Sequence, residues 1–163
     1  MKFTHLIEIN DPLLPLVDVL TRAQLWRGLV LRAASPKLFV PYLDDCIISD
    51  RTPSQFARSL RYGEVFIQDI VTLLPMQEVQ IAVPAQKDIA ASSLIMRIEE
   101  PQPEAFFVRF LYDDGQLADV GSMEAFYDEY RRSAYQESDI DTIRLVRQFA
   151  QEGRLDVDGV HLH

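Results

Sequence analysis

Residues 104–112 read EAFFVRFLY, and this stretch decides the fold class. Its bulky side chains can be divided between the two faces of an extended strand, which carries successive residues on opposite sides. One face carries Phe106, Val108, Phe110 and Tyr112, and two earlier segments alternate in the same way, with Val79, Ile81 and Val83 and with Leu94, Met96 and Ile98. This pattern predicts an antiparallel sheet with one packed face and one wetter face.

Six strand-like segments follow one another through the middle of the chain. They are Asp45–Asp50, Ser54–Tyr62, Glu64–Leu74, Glu78–Val83, Ile89–Glu99 and Glu104–Tyr112. Proline or glycine separates them at Pro53, Gly63, Pro75, Pro84 and Pro101. The connections are short, whereas parallel strands need crossovers of about a dozen residues or more, so antiparallel hairpins are predicted. One further strand is predicted earlier, from Lys2 to Asn10.

Helical spacing flanks this strand region on both sides. Residues 20–34 repeat apolar side chains at helical intervals, with Thr21 as the N-cap and Ser35-Pro36 as the end. A short helical turn is predicted before Pro41. The tail from Ser122 to Gly153 is also predicted to be helical, either as one long kinked helix or as two.

Together these elements predict an α+β fold. A curved antiparallel sheet of about seven strands wraps around a long C-terminal helix, and two shorter helices follow the first strand. Such a sheet cannot fill its own concave side, and the C-terminal helix is the only long element available to cover it. The length of 163 residues suits one domain over residues 1–155, with a frayed tail over residues 156–163.

Charge and hydropathy exclude several kinds of partner. The net charge of -9 disfavours nucleic acid and anionic membrane surfaces, because both repel an acidic protein. Membrane insertion is not expected, since no apolar run approaches the roughly 20 residues of a spanning helix. Glu8 and Asp11 interrupt the apolar stretch that a secretory signal requires, so a cytoplasmic location is expected.

The residues offer little for metal or cofactor chemistry. Cys46 is the only cysteine, and the neighbouring carboxylates of Asp44 and Asp45 oppose its ionisation, so it is predicted to be a small buried side chain. Neither the histidines nor the six scattered glycines have the spacing of a metal site or a phosphate-binding loop. The sequence therefore predicts no catalytic residue, no metal site and no cofactor.

Three segments carry a resemblance to a known family. They are residues 35–41 (SPKLFVP), residues 61–63 (RYG) and residues 135–142 (YQESDIDT). With the order of elements, they resemble the AtaL-like family of the START and birch-pollen-allergen (SRPBCC) superfamily, which has the helix-grip fold. Members of the superfamily bind lipids, sterols, polyketides or plant metabolites, and a few are cyclases or aromatases. The resemblance implies an internal ligand cavity.

Given that resemblance, the apolar face of the sheet is interpreted as a cavity wall. The candidate ligand-binding residues are Arg58, Tyr62, Asp69, Val79, Ile81, Leu94, Met96, Phe106, Val108, Phe110, Tyr112 and Ile143. Arg58 shares a strand face with Tyr62, and three roles stay open for it: pairing with Asp69 or Glu64, holding an acidic group of a ligand, or facing solvent. Whether Gln68 or Asp69 points inward is also open.

Three functions compete at this point. The first is a binder of a small hydrophobic molecule, such as a lipid, a polyketide or an aromatic compound. The second is an enzyme similar to a polyketide cyclase or aromatase, with acid–base groups supplied by Arg58, Tyr62 and Asp69. The third is an interaction module, including a homodimer, formed through the edge strands and Trp26.

Overall fold

The computed structural model describes residues 2–14, 18–114 and 123–157, and for residues 123–126 it describes the backbone. The described strands are β1 (Lys2–Glu8), β2 (Asp45–Ser49), β3 (Gln55–Tyr62), β4 (Val65–Leu74), β5 (Glu78–Val83), β6 (Ser92–Gln102) and β7 (Ala105–Asp113). The helices are α1 (Arg22–Ala34) and α2 (Met123–Gln151), with a 3-10 turn at Pro36–Leu38. The predicted α+β architecture is confirmed.

All seven strands belong to one antiparallel sheet, in the order β1-β7-β6-β5-β4-β3-β2. The strands from β2 to β7 follow one another as hairpins, as the short connections predicted. β1 pairs with β7, so the first and last strands of the chain lie side by side. The segment that carries α1 therefore crosses from one edge of the sheet to the other and lies over its concave face.

Helix α1 is held at its start by a capping box. The Thr21 hydroxyl accepts a hydrogen bond from the backbone N–H of Gln24, whose side chain accepts from the backbone N–H of Thr21. Further along, Gly28 faces α2, where an added Cβ would lie 2.5 Å from Cγ1 of the buried Val146. The absence of a side chain at Gly28 thus lets the two helices approach closely over the sheet.

Helix α2 is continuous, which settles the alternative of one helix or two. It ends at the predicted residue: Gly153 has a φ of 75°, and its N–H donates to the carbonyl of Ala150. The N–H of Arg154 donates to the carbonyl of Phe149, which completes a Schellman cap. The predicted N-cap, Ser122, and the tail residues 158–163 lie outside the described residues.

Three details differ from the sequence predictions. β6 begins at Ser92, because Gln86 and Ile89 close a tight turn, and it continues through Pro101 with a register irregularity against β7. A bulge is one of the places in a sheet that tolerates proline. The second short helix is only a 3-10 turn. On α2, the four-residue spacing with the acid first predicts an ion pair of Asp128 with Arg132, but Asp128 pairs with Arg131, three positions along.

The hydrophobic core fills one end of the concave face. It joins Val79, Met96, Val108 and Phe110 of the sheet to side chains of both helices, including Leu25, Leu29, Val146 and Phe149. None of the helices in the described part of the chain is both long and apolar enough to cross a membrane.

Candidate functional site

A cavity of about 270 Å³ occupies the other end of the concave face. Its walls come from the sheet, the end of α1 and the middle of α2. They are formed by Arg32, Pro36, Arg58, Leu60, Tyr62, Ile67, Asp69, Ile81, Val83, Ser92, Ser93, Leu94, Tyr112, Asp113, Asp114 and Tyr135. The pairing of the strands explains the location. The end of β5 meets the start of β6, where Val83 pairs with Ser92, and Tyr112 near the end of β7 pairs with Leu94.

The predicted ligand-binding residues divide into two groups. Six of them line the cavity: Arg58, Tyr62, Asp69, Ile81, Leu94 and Tyr112. The other six lie in the packed core instead: Val79, Met96, Phe106, Val108, Phe110 and Ile143. Their placement corrects the prediction that the whole apolar face forms the cavity wall. Strand alternation identifies the face on which a side chain lies, but not its position along the strand relative to the covering helices.

The buried polar centre of the site is the pair Arg58 and Asp69, which are 4% and 3% exposed. They are direct cross-strand neighbours on β3 and β4. Arg58 donates from Nε to Oδ1 of Asp69 over 2.8 Å and from Nη2 to Oδ2 over 2.6 Å. Its Nη1 donates to the carbonyl of Ala33 over 2.8 Å, at the end of α1. Asp69 therefore points inward, and Gln68 lies on the other face.

A second arginine at the cavity was missed by the sequence reasoning. Arg32 lies in the last turn of α1 and lines the cavity wall. A signal for it existed, because Arg32 follows the buried Leu25 by seven positions and Leu29 by three, on the apolar stripe of the helix. Burial lowers the pKa of Arg32, and the nearby charge of Arg58 lowers it further.

Where α2 meets the sheet, Tyr112, Asp139 and His5 form a hydrogen-bonded chain. The Tyr112 hydroxyl donates to Oδ1 of Asp139, and Nδ1 of His5 lies 3.2 Å from Oδ2 of the same carboxylate. Tyr112 also stacks on Tyr135, with ring centroids 4.1 Å apart. Burial raises the pKa of Asp139 to about 6, although the hydrogen bonds from Tyr112 and His5 oppose that shift.

Two tyrosines of the cavity and one nearby cysteine are held in their neutral form. Burial raises the pKa of the Tyr62 phenol, and burial together with the charge of Asp139 raises the pKa of Tyr112. Cys46 lies near the site on β2, and burial is the first cause of its raised pKa, ahead of nearby carboxylates. Within the described ranges, no three His, Cys, Asp or Glu side chains are grouped so that they could hold a metal ion.

A family model matches most of the chain, including every residue that lines the cavity. The sequence model of the AtaL family, described as acetylaranotin biosynthesis cluster protein L, matches residues 7–153. These residues include nearly the whole sheet and both helices, so the resemblance inferred from the sequence is confirmed. No curated protein matches this chain in sequence.

Solved structures share the helix-grip fold. StfQ, a di-domain ARO/CYC of the steffimycin biosynthetic pathway, is 14% identical with a TM-score of 0.64, over 96% of this chain and 52% of its own. Zhui aromatase/cyclase from Streptomyces sp. R1128 is 10% identical with a TM-score of 0.58, over 98% and 97%. Human STARD10 is 12% identical with a TM-score of 0.60, over 94% and 66%. This chain spans about half the length of StfQ and of the related di-domain BexL.

Removing one partner of the buried ion pair should destabilise the fold strongly. Arg58→Met leaves the Asp69 carboxylate buried without its cation, and we expect a loss of about 3–5 kcal/mol in the free energy of unfolding. Adding Asp69→Leu removes the stranded charge, so the double variant should recover part of that loss. Urea denaturation measures both.

The matched control for this pair is Arg61→Met on the same strand. Arg61 and Asp44 are 3.6 Å apart and both are largely exposed, so the control should lose less than about 1 kcal/mol. Equal losses in the single and double Arg58 variants would show that the two buried charges are not coupled.

Asp139 should make the fold more stable as the pH falls. Its pKa in the folded protein is about 6, above the ordinary 3.8, so the folded state binds the proton more tightly. Stability from this group therefore rises as the pH drops through about 6 towards 4, by an amount on the order of 3 kcal/mol. Asp139→Asn should remove this rise, as measured by urea denaturation between pH 4 and 8.

Comparison of the two pH profiles isolates Asp139 from all other titrating groups. Asp141→Asn is the control, because Asp141 is on the same helix and its side chain is 60% exposed. This control should keep the wild-type profile. Identical profiles for the wild type and Asp139→Asn would contradict the assignment.

Proposed function

This chain belongs to the AtaL family, and from that premise we propose that it binds a small hydrophobic molecule inside the cavity between sheet and helices. The observation that carries the proposal is the cavity itself, whose accessible surface is mainly apolar and which also presents tyrosine, serine and charged side chains at defined positions. Ligand sites in proteins commonly have this composition.

The walls favour a compact apolar ligand. Leu60, Ile67, Ile81, Val83 and Leu94 come from four neighbouring strands and form a continuous apolar surface on the concave side. The volume of about 270 Å³ lies near the lower end of the roughly 300–1,000 Å³ found for ligand pockets. A ligand with one or two rings, or a chain of moderate length, would fill it.

Similarity to the aromatase/cyclases supports a polyketide or another aromatic compound as the class of ligand. The domain charge of -9 makes nucleic acid a poor partner. A cytoplasmic location is part of the same proposal, and fractionation of the source cells would test it. A homodimer formed through an edge strand is also a proposal, which a purely monomeric sedimentation profile would contradict.

Filling the cavity should weaken binding strongly. Val83→Trp places an indole in the space that the ligand would occupy, so the affinity for naphthalene-methanol or octanol should fall by about tenfold or more. Titration calorimetry measures the affinity, and the melting temperature shows that the variant is folded.

The control for this variant is Val65→Trp, because Val65 is 51% exposed and lies outside the cavity lining. It should bind both alcohols as the wild type does. If neither alcohol binds to the wild type, or if the folded Val83→Trp variant binds them unchanged, the proposed binding function is wrong.

A second candidate is a polyketide cyclase or aromatase-like enzyme. Arg58 and Asp69 bind each other through two hydrogen bonds, which leaves them poorly suited to the acid–base role suggested by the sequence. The observation that favours an enzyme is instead the hydrogen bond from Tyr112, a cavity residue, to the carboxylate of Asp139, whose pKa is about 6. Such a pair can release and accept a proton near neutral pH.

The enzyme reading is tested with a short poly-β-ketone thioester. Cyclisation by aldol condensation forms one carbon–carbon bond and releases water, and mass spectrometry detects the loss of that water. We expect turnover by the wild type and a strong reduction in Tyr112→Phe, which keeps the ring but removes the hydroxyl. A wild type that only returns the compound unchanged, while still binding it, would contradict catalysis.

A further inference from the structure

Arg32 differs from the other charged groups at the cavity in having no counter-charge. Its guanidinium has no hydrogen bond or ion pair with any of the described residues, and its one contact of note is with the ring of Phe39, 5.9 Å from the ring centroid. The side chain is half-buried, and it lines the cavity. A guanidinium carries five N–H donors, so several of them are available to a molecule in the cavity.

The neighbouring Arg58, by contrast, has hydrogen-bond partners for all three of its guanidinium nitrogens. Arg58 uses two nitrogens on Asp69 and the third on the carbonyl of Ala33. Because both oxygens of Asp69 are taken by Arg58, that carboxylate does not neutralise Arg32. The cavity therefore contains one arginine with a hydrogen bond at each of its three nitrogens and one arginine with none among the described residues.

The surroundings of Arg32 make this charge costly. Burial and the charge of Arg58 both lower its pKa, whereas Tyr112, Tyr62 and Asp139 oppose the shift only in part. An arginine does not give up its proton in a protein, so it cannot escape the penalty by becoming neutral. A desolvated cation without a partner is destabilising, and an anion placed beside it would offset that cost.

The shape and charge of the site favour a carboxylate as that anion. The planar fork of a guanidinium matches the two oxygens of a carboxylate. The protonated Tyr62 hydroxyl and those of Ser92 and Ser93 also line the cavity and can donate to the same group. A doubly charged phosphate fits less well, because Asp113 and Asp114 line the cavity too.

We propose that Arg32 binds the carboxylate of the ligand, and that the molecules this cavity takes are hydrophobic carboxylic acids. The inference rests on the proposed binding function and makes it more specific. The apolar strand walls hold the hydrocarbon part, and Arg32 at the end of α1 fixes its orientation. Arg58 and Asp69 hold the wall in place and do not contact the carboxylate as anchors.

The test compares two acids with the alcohols of the same hydrocarbon: naphthoate with naphthalene-methanol, and octanoate with octanol. Titration calorimetry at neutral pH gives the four affinities. The wild type should prefer each acid to its alcohol. In Arg32→Gln the affinity for the acids should fall by about 10- to 100-fold, while the affinity for the alcohols should stay within about twofold.

Two further variants strengthen the test. Arg32→Lys keeps the charge but loses the fork, so it should retain part of the preference for acids. Arg144→Gln is the control for overall charge, since Arg144 lies on α2 with its side chain 62% exposed, and it should bind as the wild type does. The melting temperature of Arg32→Gln should equal or exceed that of the wild type, because the variant lacks an unpaired, half-buried charge.

The outcomes separate the two proposals. If the alcohols bind but the acids are not preferred, or if Arg32→Gln keeps the preference, the carboxylate anchor is wrong and the hydrophobic binding function stands. If all four compounds fail to bind to the wild type, both proposals are wrong. A clear fall in the melting temperature of Arg32→Gln would mean that the guanidinium supports the fold, which would also overturn the anchor.

Discussion

The ion pair between Arg58 and Asp69 is the interaction on which the rest of the site depends. Two parallel hydrogen bonds between direct cross-strand neighbours fix the register of β3 on β4. The third donor of Arg58 binds the carbonyl of Ala33, one of the carbonyls that the end of a helix leaves without a partner. One side chain therefore ties the sheet to the end of α1, and this link places Arg32 at the cavity wall.

The division between core and cavity follows from how the helices cover the sheet. Gly28 lets α1 lie close to Val146 of α2, so both helices pack tightly over one end of the concave face. Arg32 lies in the last turn of α1, and the 3-10 turn follows it. At this end, large apolar side chains no longer fill the space between the sheet and the helices. An uncovered apolar surface joined to an unpaired charge lowers stability, and proteins commonly accept such a cost at a binding site.

The opposite wall of the cavity is joined to α2 by a polar contact of a different kind. Tyr112, Asp139 and His5 connect β7, α2 and β1, and the stacking of Tyr112 on Tyr135 adds an apolar component. Because the Asp139 carboxylate is buried, its protonation near pH 6 changes the strength of the hydrogen bonds that join α2 to β1 and β7. The cavity is thus closed on one side by a permanent ion pair and on the other by a group that titrates.

Local sequence patterns were sufficient to predict the element order, the antiparallel hairpins, the Thr21 cap and the Gly153 stop, because alternation, helical spacing and capping residues act over a few neighbouring positions. The sequence also grouped Arg58 with Tyr62 on one strand face, but it left open whether the Arg58 side chain points inward. Tertiary packing was needed to show that Arg58 and Asp69 point inward and Gln68 does not, to expose Ile81 and Leu94 but not Val79 and Met96 to the cavity, and to bring Arg32 to the site. These outcomes depend on how far each helix extends over the sheet, and contacts between residues distant in sequence determine that extent.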